Sequence, residues 1–336
     1  MNPRPSAPKA DALPPELHPV KVVILLTVTH TTCNTMKVLI LGGATATGKS
    51  ELACCVAQRL GGEIISADSM SVYRGMDIGT AKPLECMRKV KHHLIDILNP
   101  GEVFDAKLFE EEALKAVAYI VEKGKVPIIV GGTYLYIQAF LYGIEDTPKP
   151  NWRLREKLYS VAKRRGKAYL HTKLLKVDPR YAFKIHPNDT RRVVRALEVF
   201  IETGKPFSFF HRWDKPKHKY VAFHITRDWD SLLDRIEKRV RKMVEEGLLE
   251  EVKRLLDEHF EEFLTSSQAI GYKELIPYFR GEKSLEQAVE DIVKNTKAYA
   301  KRQIRWFKKQ GWREINLDKL SLEDACSIIV DDFKGV

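Results

Sequence analysis

Residues Lys37–Leu60 read KVLILGGATATGKSELACCVAQRL. The run Val38 to Leu41 is apolar and of the right length for one buried strand. Gly43 to Ser50, GATATGKS, fits G-x-x-x-x-G-K-[ST] at every fixed position, and Leu52, Ala53, Val56, Ala57 and Leu60 follow at helical spacing. Strand, glycine loop and helix in that order are the context the motif requires. A glycine turn that merely joins strand to helix would not need the Lys and the hydroxyl as well. Gly43, Ala44, Thr45, Ala46, Thr47, Gly48, Lys49 and Ser50 therefore read as a cradle for a di- or triphosphate. Backbone N–H groups turn inward around the anion and the helix N-terminus adds partial positive charge. Lys49 reaches the outer oxygens, and the Ser50 hydroxyl is placed to ligate Mg²⁺.

Outward from that stretch, Glu63 to Asp68 (EIISAD), His92 to Leu98 (HHLIDIL), Val126 to Gly131 (VPIIVG) and Tyr220 to Thr226 (YVAFHIT) read as further strands, with a helix over Ala106 to Glu122. Apolar strands alternating with helices predict an α/β fold, a P-loop-containing parallel sheet flanked by helices. Asn151 to about Lys215 reads as an inserted helical subdomain, with Asn188-Asp189 capping a helix through Arg191 and Val199. Everything after Thr226 reads as helical. The expected organisation is a core over 36–148 and 218–318, an insert over 149–217 and a tail helix over 319–336. Residues 1–35 read as a disordered extension or an upstream start, with Met36 as the alternative beginning. The apolar run Val20 to Val28 is too short to span a bilayer.

The 336 residues carry a formal charge of +11. Asn151 to Tyr220 alone holds 19 Lys and Arg against 6 Asp and Glu, an excess beside a phosphate loop that points to a polyanionic partner. Lys294, Lys297, Lys301, Arg305 and Lys308 share one helix face, and no acid occurs from Lys294 to Lys309. Such a face can meet nucleic acid or an acidic membrane; the basic insert favours nucleic acid. The five cysteines form no C-x-x-C pair, a pattern that fits neither a disulfide framework nor a zinc site and suits a reducing cytoplasm.

Asp68 follows a strand of the same sheet as the phosphate loop. It can be a metal ligand, a general base or the cap of the next turn. Asp96 competes as a second metal-site acid. His92 and His93 read as packing residues, since no partner stands at metal spacing.

Six blocks in order, GATATGKS, ISADSMSVYRGMDIGTAKP, VGGTYLY, NDTRRVVRALEV, QAIGYKEL and TKAYAKRQIRWFK, resemble the bacterial tRNA dimethylallyltransferase (isopentenyl-tRNA transferase) family from about Lys37 to Leu317. The resemblance implies that the loop holds dimethylallyl diphosphate. The prenyl group then goes to the exocyclic amine of the adenosine 3′ to the anticodon, flipped out of its stack. It makes Asp68 the base, with Thr45, Lys49, Ser50 with Mg²⁺, and Arg227 supporting the leaving diphosphate. It assigns tRNA anticodon stem-loop contacts to Asp68, Ser69, Met70 and Ser71; to Thr133 and Arg155; to Arg191, Arg192 and Arg195; to Gln268, Gly271, Tyr272 and Lys273; and to Lys297, Lys301, Arg302 and Gln303. Three positions depart from the family's pattern: Ala44 for proline, Ser50 for threonine, and Ser71 for glutamine at a position the pattern assigns to an RNA contact. A cytoplasmic enzyme with no membrane association is expected, and nothing in the architecture requires more than a monomer. The competing readings are a P-loop kinase of a small metabolite or nucleotide, with Asp96 at its metal, and a non-catalytic nucleotide-dependent RNA binder.

Overall fold

The computed structural model describes residues 37–145, 147–210, 213 and 215–335. The readings of residues 1–35 and of Met36 as a start lie outside them. β1 (Val38–Gly43) is buried along its whole length, because alternate side chains enter two separate cores. Val38 and Ile40 join one face, Leu39 and Leu41 the other. That two-sided burial is what a continuous apolar strand demands.

After β1 come α1 (Lys49–Leu60), β2 (Glu63–Ser66), β3 (His92–His93), α2 (Ala106–Glu122), β4 (Pro127–Gly131) and α3 (Tyr134–Tyr142). β5 (Tyr220–Thr226) and β6 (Arg313–Asn316) complete a six-stranded sheet of order β3-β2-β4-β1-β5-β6 in which every pair is parallel. Two expectations are corrected. The third strand stops after His93 rather than running to Leu98, because Leu94 and Asp96 adopt φ of 62° and 56° and turn the chain away. The segment after Thr226 is not wholly helical: Arg313–Asn316 adds the edge strand β6, too short and too charged to announce itself.

The insert contributes α4 (Trp152–Arg165), α5 (Lys167–Val177) and α6 (Thr190–Thr203) around a core of its own that includes Leu170, Leu174, Val193 and Leu197. Asp189 caps α6 by accepting from the Arg192 amide at 3.2 Å. α7 (Trp229–Glu245), α8 (Leu248–Asp257) and α9 (Leu285–Lys308) cover the face that receives Val38 and Ile40. α10 (Leu322–Gly335) packs with α1 on the other. α9 starts at a capping box between Ser284 and Gln287 and buries Ala288, Ile292, Ala300, Gln303 and Phe307.

The cysteines also require a correction. Cys55 of α1 and Cys326 of α10 form a disulfide across 271 residues, with Cα atoms 6.2 Å apart, while Cys54 and Cys86 stay free and buried. The pairing had no spacing signal, since it depends on α10 folding back along α1. Among the described residues, no helix is long and apolar enough to cross a membrane.

Candidate active site

β1, β2, β4 and β5 all end on the same side of the sheet, where α/β proteins hold their ligands. A cavity of about 1050 Å³ opens there. The phosphate loop forms its floor. At Gly43 an added methyl would meet the Ile225 carbonyl, and Gly48 sits at φ 98°, so neither position accepts a side chain without strain. The loop is locked from within by Thr47 Oγ1 donating to Ala44 O at 2.9 Å. From α9, Gln303 accepts from the Thr45 amide at 3.0 Å and donates to Gly132 O at 2.9 Å. Lys49 Nζ donates to Ala44 O at 2.5 Å. Burial, then the charge of Arg239, pull the Lys49 pKa down to about 7, against an opposing pull from Asp68. Ser50 is exposed and lines the cavity.

Asp68 lines the same cavity just past β2. Its Oδ1 accepts from the amides of Met70 (2.8 Å) and Ser71 (3.2 Å), so the carboxylate does cap the turn. The turn is pinned to the end of β4 by Ser69 N donating to Thr133 Oγ1 at 3.1 Å. Ser71, where the family pattern has glutamine, is buried with its hydroxyl 3.0 Å from that of Ser66. Asp96 is engaged elsewhere: it pairs with the fully buried Lys82 ammonium, which also donates to Tyr73 O at 2.7 Å and Asp77 at 2.6 Å. An acid neutralised in this way is a poor metal ligand. His93, read from the sequence as a packing residue, is instead hydrogen-bonded to the buried Glu63 carboxylate at 2.7 Å. No cluster of three or more His, Cys, Asp or Glu able to hold a metal occurs among the described residues.

Arg227 borders the phosphate loop without lining the cavity itself. Arg227 donates to Thr47 O at 2.9 Å and Leu317 O at 3.1 Å and pairs with Asp318 at 2.5 Å, so two of its nitrogens brace the loop while Nη2 lies against Gly48. Arg235 and Arg239 of α7 line the cavity itself. Burial lowers the Arg239 pKa and the charge of Asp68 opposes that shift, so the guanidinium shares its surroundings with both Asp68 and Lys49. Tyr299 of α9 is a further lining residue; burial, then Asp68, push its phenol up to about 12. The signal for the arginines was present in Asp234–Val240, DRIEKRV, where the four-residue spacing puts both on one helix face one turn apart.

A family model described as IPP transferase matches residues 71–310. A tRNA dimethylallyltransferase of Aquifex aeolicus (strain VF5) is 64% identical over 299 residues, covering 89% of this chain and 98% of the relative. This chain belongs to the IPP transferase family. A second tRNA dimethylallyltransferase, from Hydrogenobaculum sp. (strain Y04AAS1), is 52% identical over 278 residues, 82% of this chain and 93% of its own. Among solved structures, the full-length tRNA isopentenylpyrophosphate transferase from Bacillus halodurans is 39% identical with a TM-score of 0.65, covering 89% of this chain and 97% of that one. A eukaryotic dimethylallyltransferase acting on tRNA is 31% identical with a TM-score of 0.76, over 90% and 80% of the two chains.

Several residues that the resemblance assigned to RNA in this IPP transferase are turned inward. Arg155 makes a two-pronged contact with Glu198, both arms at 2.9 Å, and Arg195 donates to the same carboxylate at 2.6 Å and to Pro148 O at 2.8 Å. Gly271 and Tyr272 are buried. The Tyr272 hydroxyl donates at 2.5 Å to Glu251, which also accepts from the amides of Asp77, Ile78 and Gly79 and so fixes a wall of the cavity. Gln303 is buried in its bridge between the phosphate loop and β4. Outward-facing are Arg191, Arg192, Gln268, Lys301 and Arg302, with Lys273 half-buried beside Glu274 at 3.7 Å. On α9, Lys294, Lys301, Arg305 and Lys308 keep an exposed stripe, whereas Lys297 pairs with Glu237 at 2.6 Å.

Proposed function

We propose that this chain transfers a dimethylallyl group from dimethylallyl diphosphate to the exocyclic amine of the adenosine 3′ to the anticodon of tRNA. The observation that carries the reading is that Asp68, Lys49 and Arg239 line one cavity with the phosphate loop, in a chain of this family. An adenine amine is a weak nucleophile because its lone pair is delocalised into the ring. As its nitrogen bonds to the allylic carbon, that carbon's bond to the diphosphate oxygen breaks and the amine proton passes to the free oxygen of Asp68. Charge developing on the departing diphosphate meets the loop N–H groups, Lys49 and Arg239. With Oδ1 held by two amides, the Asp68 turn is set before the base arrives.

Mg²⁺ fits the donor set: Ser50 offers a lone hydroxyl at the helix start, and this ion commonly takes one protein ligand with phosphate oxygens and water. When bound it would neutralise part of the diphosphate charge. The competing kinase reading has lost its second acid to Lys82. The cavity is lined by the phosphate loop and Asp68 of one chain, so the proposed reaction requires no second copy, and a tRNA substrate goes with a cytoplasmic enzyme.

The test incubates the protein with unmodified tRNA, Mg²⁺ and radiolabelled dimethylallyl diphosphate. Label enters tRNA with wild type. Asp68→Asn preserves an acceptor for the turn yet lowers transfer by about 10²–10⁴-fold, with tRNA binding retained. Unimpaired transfer by that variant removes Asp68 as the base, and ATP turnover on a small acceptor without tRNA labelling returns the kinase.

A further inference from the structure

We propose that Phe183 is a stacking platform on the insert for an unpaired base of the RNA substrate. The proposal rests on the tRNA reading above and adds a contact to it. Phe183 is 83% exposed, whereas the next most exposed large apolar residue among the described residues, Ile201, reaches 55%. A phenyl ring so fully in water gains nothing for the fold.

Its frame is nevertheless rigid. It follows the one-turn helix Pro179–Ala182. The buried Asp178 accepts there from the Tyr181 amide at 3.0 Å and, with its other oxygen, from the Ser208 amide at 2.7 Å. Ala182 and Ile185 on either side are buried in the insert core, and the Ala182 carbonyl is 3.1 Å from His171 Nε2. The ring is therefore held out by anchored backbone, which keeps the ordering cost of a contact low.

Charge decides what the ring faces. Arg180 and Lys184 flank it, both exposed, and Asp178 is turned inward. A protein partner's apolar surface would meet cations on both sides of the ring. A polynucleotide would not: its phosphates suit the cations and any unpaired base offers a π-face to the ring, the combination that single-stranded RNA binders use.

The experiment measures tRNA binding by anisotropy, transfer kinetics and thermal stability for wild type, Phe183→Ala, Phe183→Leu and Phe183→Trp. Phe183→Ala weakens tRNA binding by about 5- to 150-fold. It raises KM for tRNA and leaves kcat at saturating tRNA, and the melting temperature, unchanged. Phe183→Trp restores binding and its indole fluorescence is quenched by tRNA; Phe183→Leu does not restore it. Equal binding by the Ala variant overturns the proposal, as does full rescue by Leu, which would mark a plain apolar contact. The binding and quenching measurements need no turnover. A wild type that binds RNA without prenylating it therefore sinks the reaction reading and leaves this one to be judged separately.

Discussion

The core and the insert treat positive charge in opposite ways. Around the phosphate loop, Lys49, Arg235 and Arg239 line an open cavity with Asp68 and make no ion pair within 4.0 Å among the described residues, so their charge faces an incoming anion. In the insert, Arg155 and Arg195 close on Glu198, a carboxylate with no exposure at all. Burial acts to raise the Glu198 pKa, but hydrogen bonds from Arg155 and Arg195 outweigh it and hold the group below the usual carboxylate range. A basic region is thus two populations: cations kept for a ligand and cations that hold the fold. Which is which depends on where the acids lie.

The contrast breaks hardest at Glu198. Glu198→Ala leaves two guanidinium groups facing each other in a half-buried site, and the expected loss is about 3–5 kcal/mol of stability. Arg195 also donates to Thr147 and Pro148, where the chain enters the insert, so the damage spreads to that junction. Urea unfolding measures it. A variant as stable as wild type would mean that the arginines are free to serve RNA after all.

The core side is tested at Arg239. Removing a preorganised donor to a developing anion costs about 2.7–4 kcal/mol of barrier, or about 10²–10³-fold in the transfer step. Arg239→Ala should show that loss in single-turnover transfer with little change in stability. Arg227→Ala should show the reverse pattern, because its guanidinium braces Thr47 and the Leu317–Asp318 segment. If Arg227→Ala alone removes transfer while the loop stays folded, the two roles are exchanged.

Much of this was legible in the residues because local rules were obeyed. GATATGKS predicted its own strand–loop–helix, and continuous apolar runs predicted a parallel sheet covered on both faces. Asp68 was found because strand ends in one sheet converge. What escaped depended on distant partners. Arg155 and Arg195 look like RNA-binding arginines until Glu198 is seen between them. Arg227 follows a strand end and borders the phosphate loop, but its pairing with Asp318, 91 positions later, has no local signal. Gln303 sits in a basic run yet is buried by the helix turn that faces the phosphate loop. β6 and the Cys55–Cys326 link need the C-terminal segment to return to the sheet, and no periodicity encodes that return.

The smallest effect is also the most specific to an open cationic cavity. Lys49 has a pKa of about 7, lowered by burial and then by Arg239, so near pH 8 the amine is mostly neutral in the free protein. A bound diphosphate favours the ammonium and raises that pKa. The sign follows: dimethylallyl diphosphate binding at pH 8 takes up a proton, approaching one per site, and the uptake fades below pH 7, where Lys49 is already charged. Calorimetry in buffers of different ionisation enthalpy reads this directly. Lys49→Arg keeps a cation that stays protonated, so ligand binding persists and the uptake disappears. Binding with no proton uptake in wild type would mean that Lys49 is already ammonium in the free protein. The cavity would then hold its charge paired, as the insert does with Arg155 and Arg195.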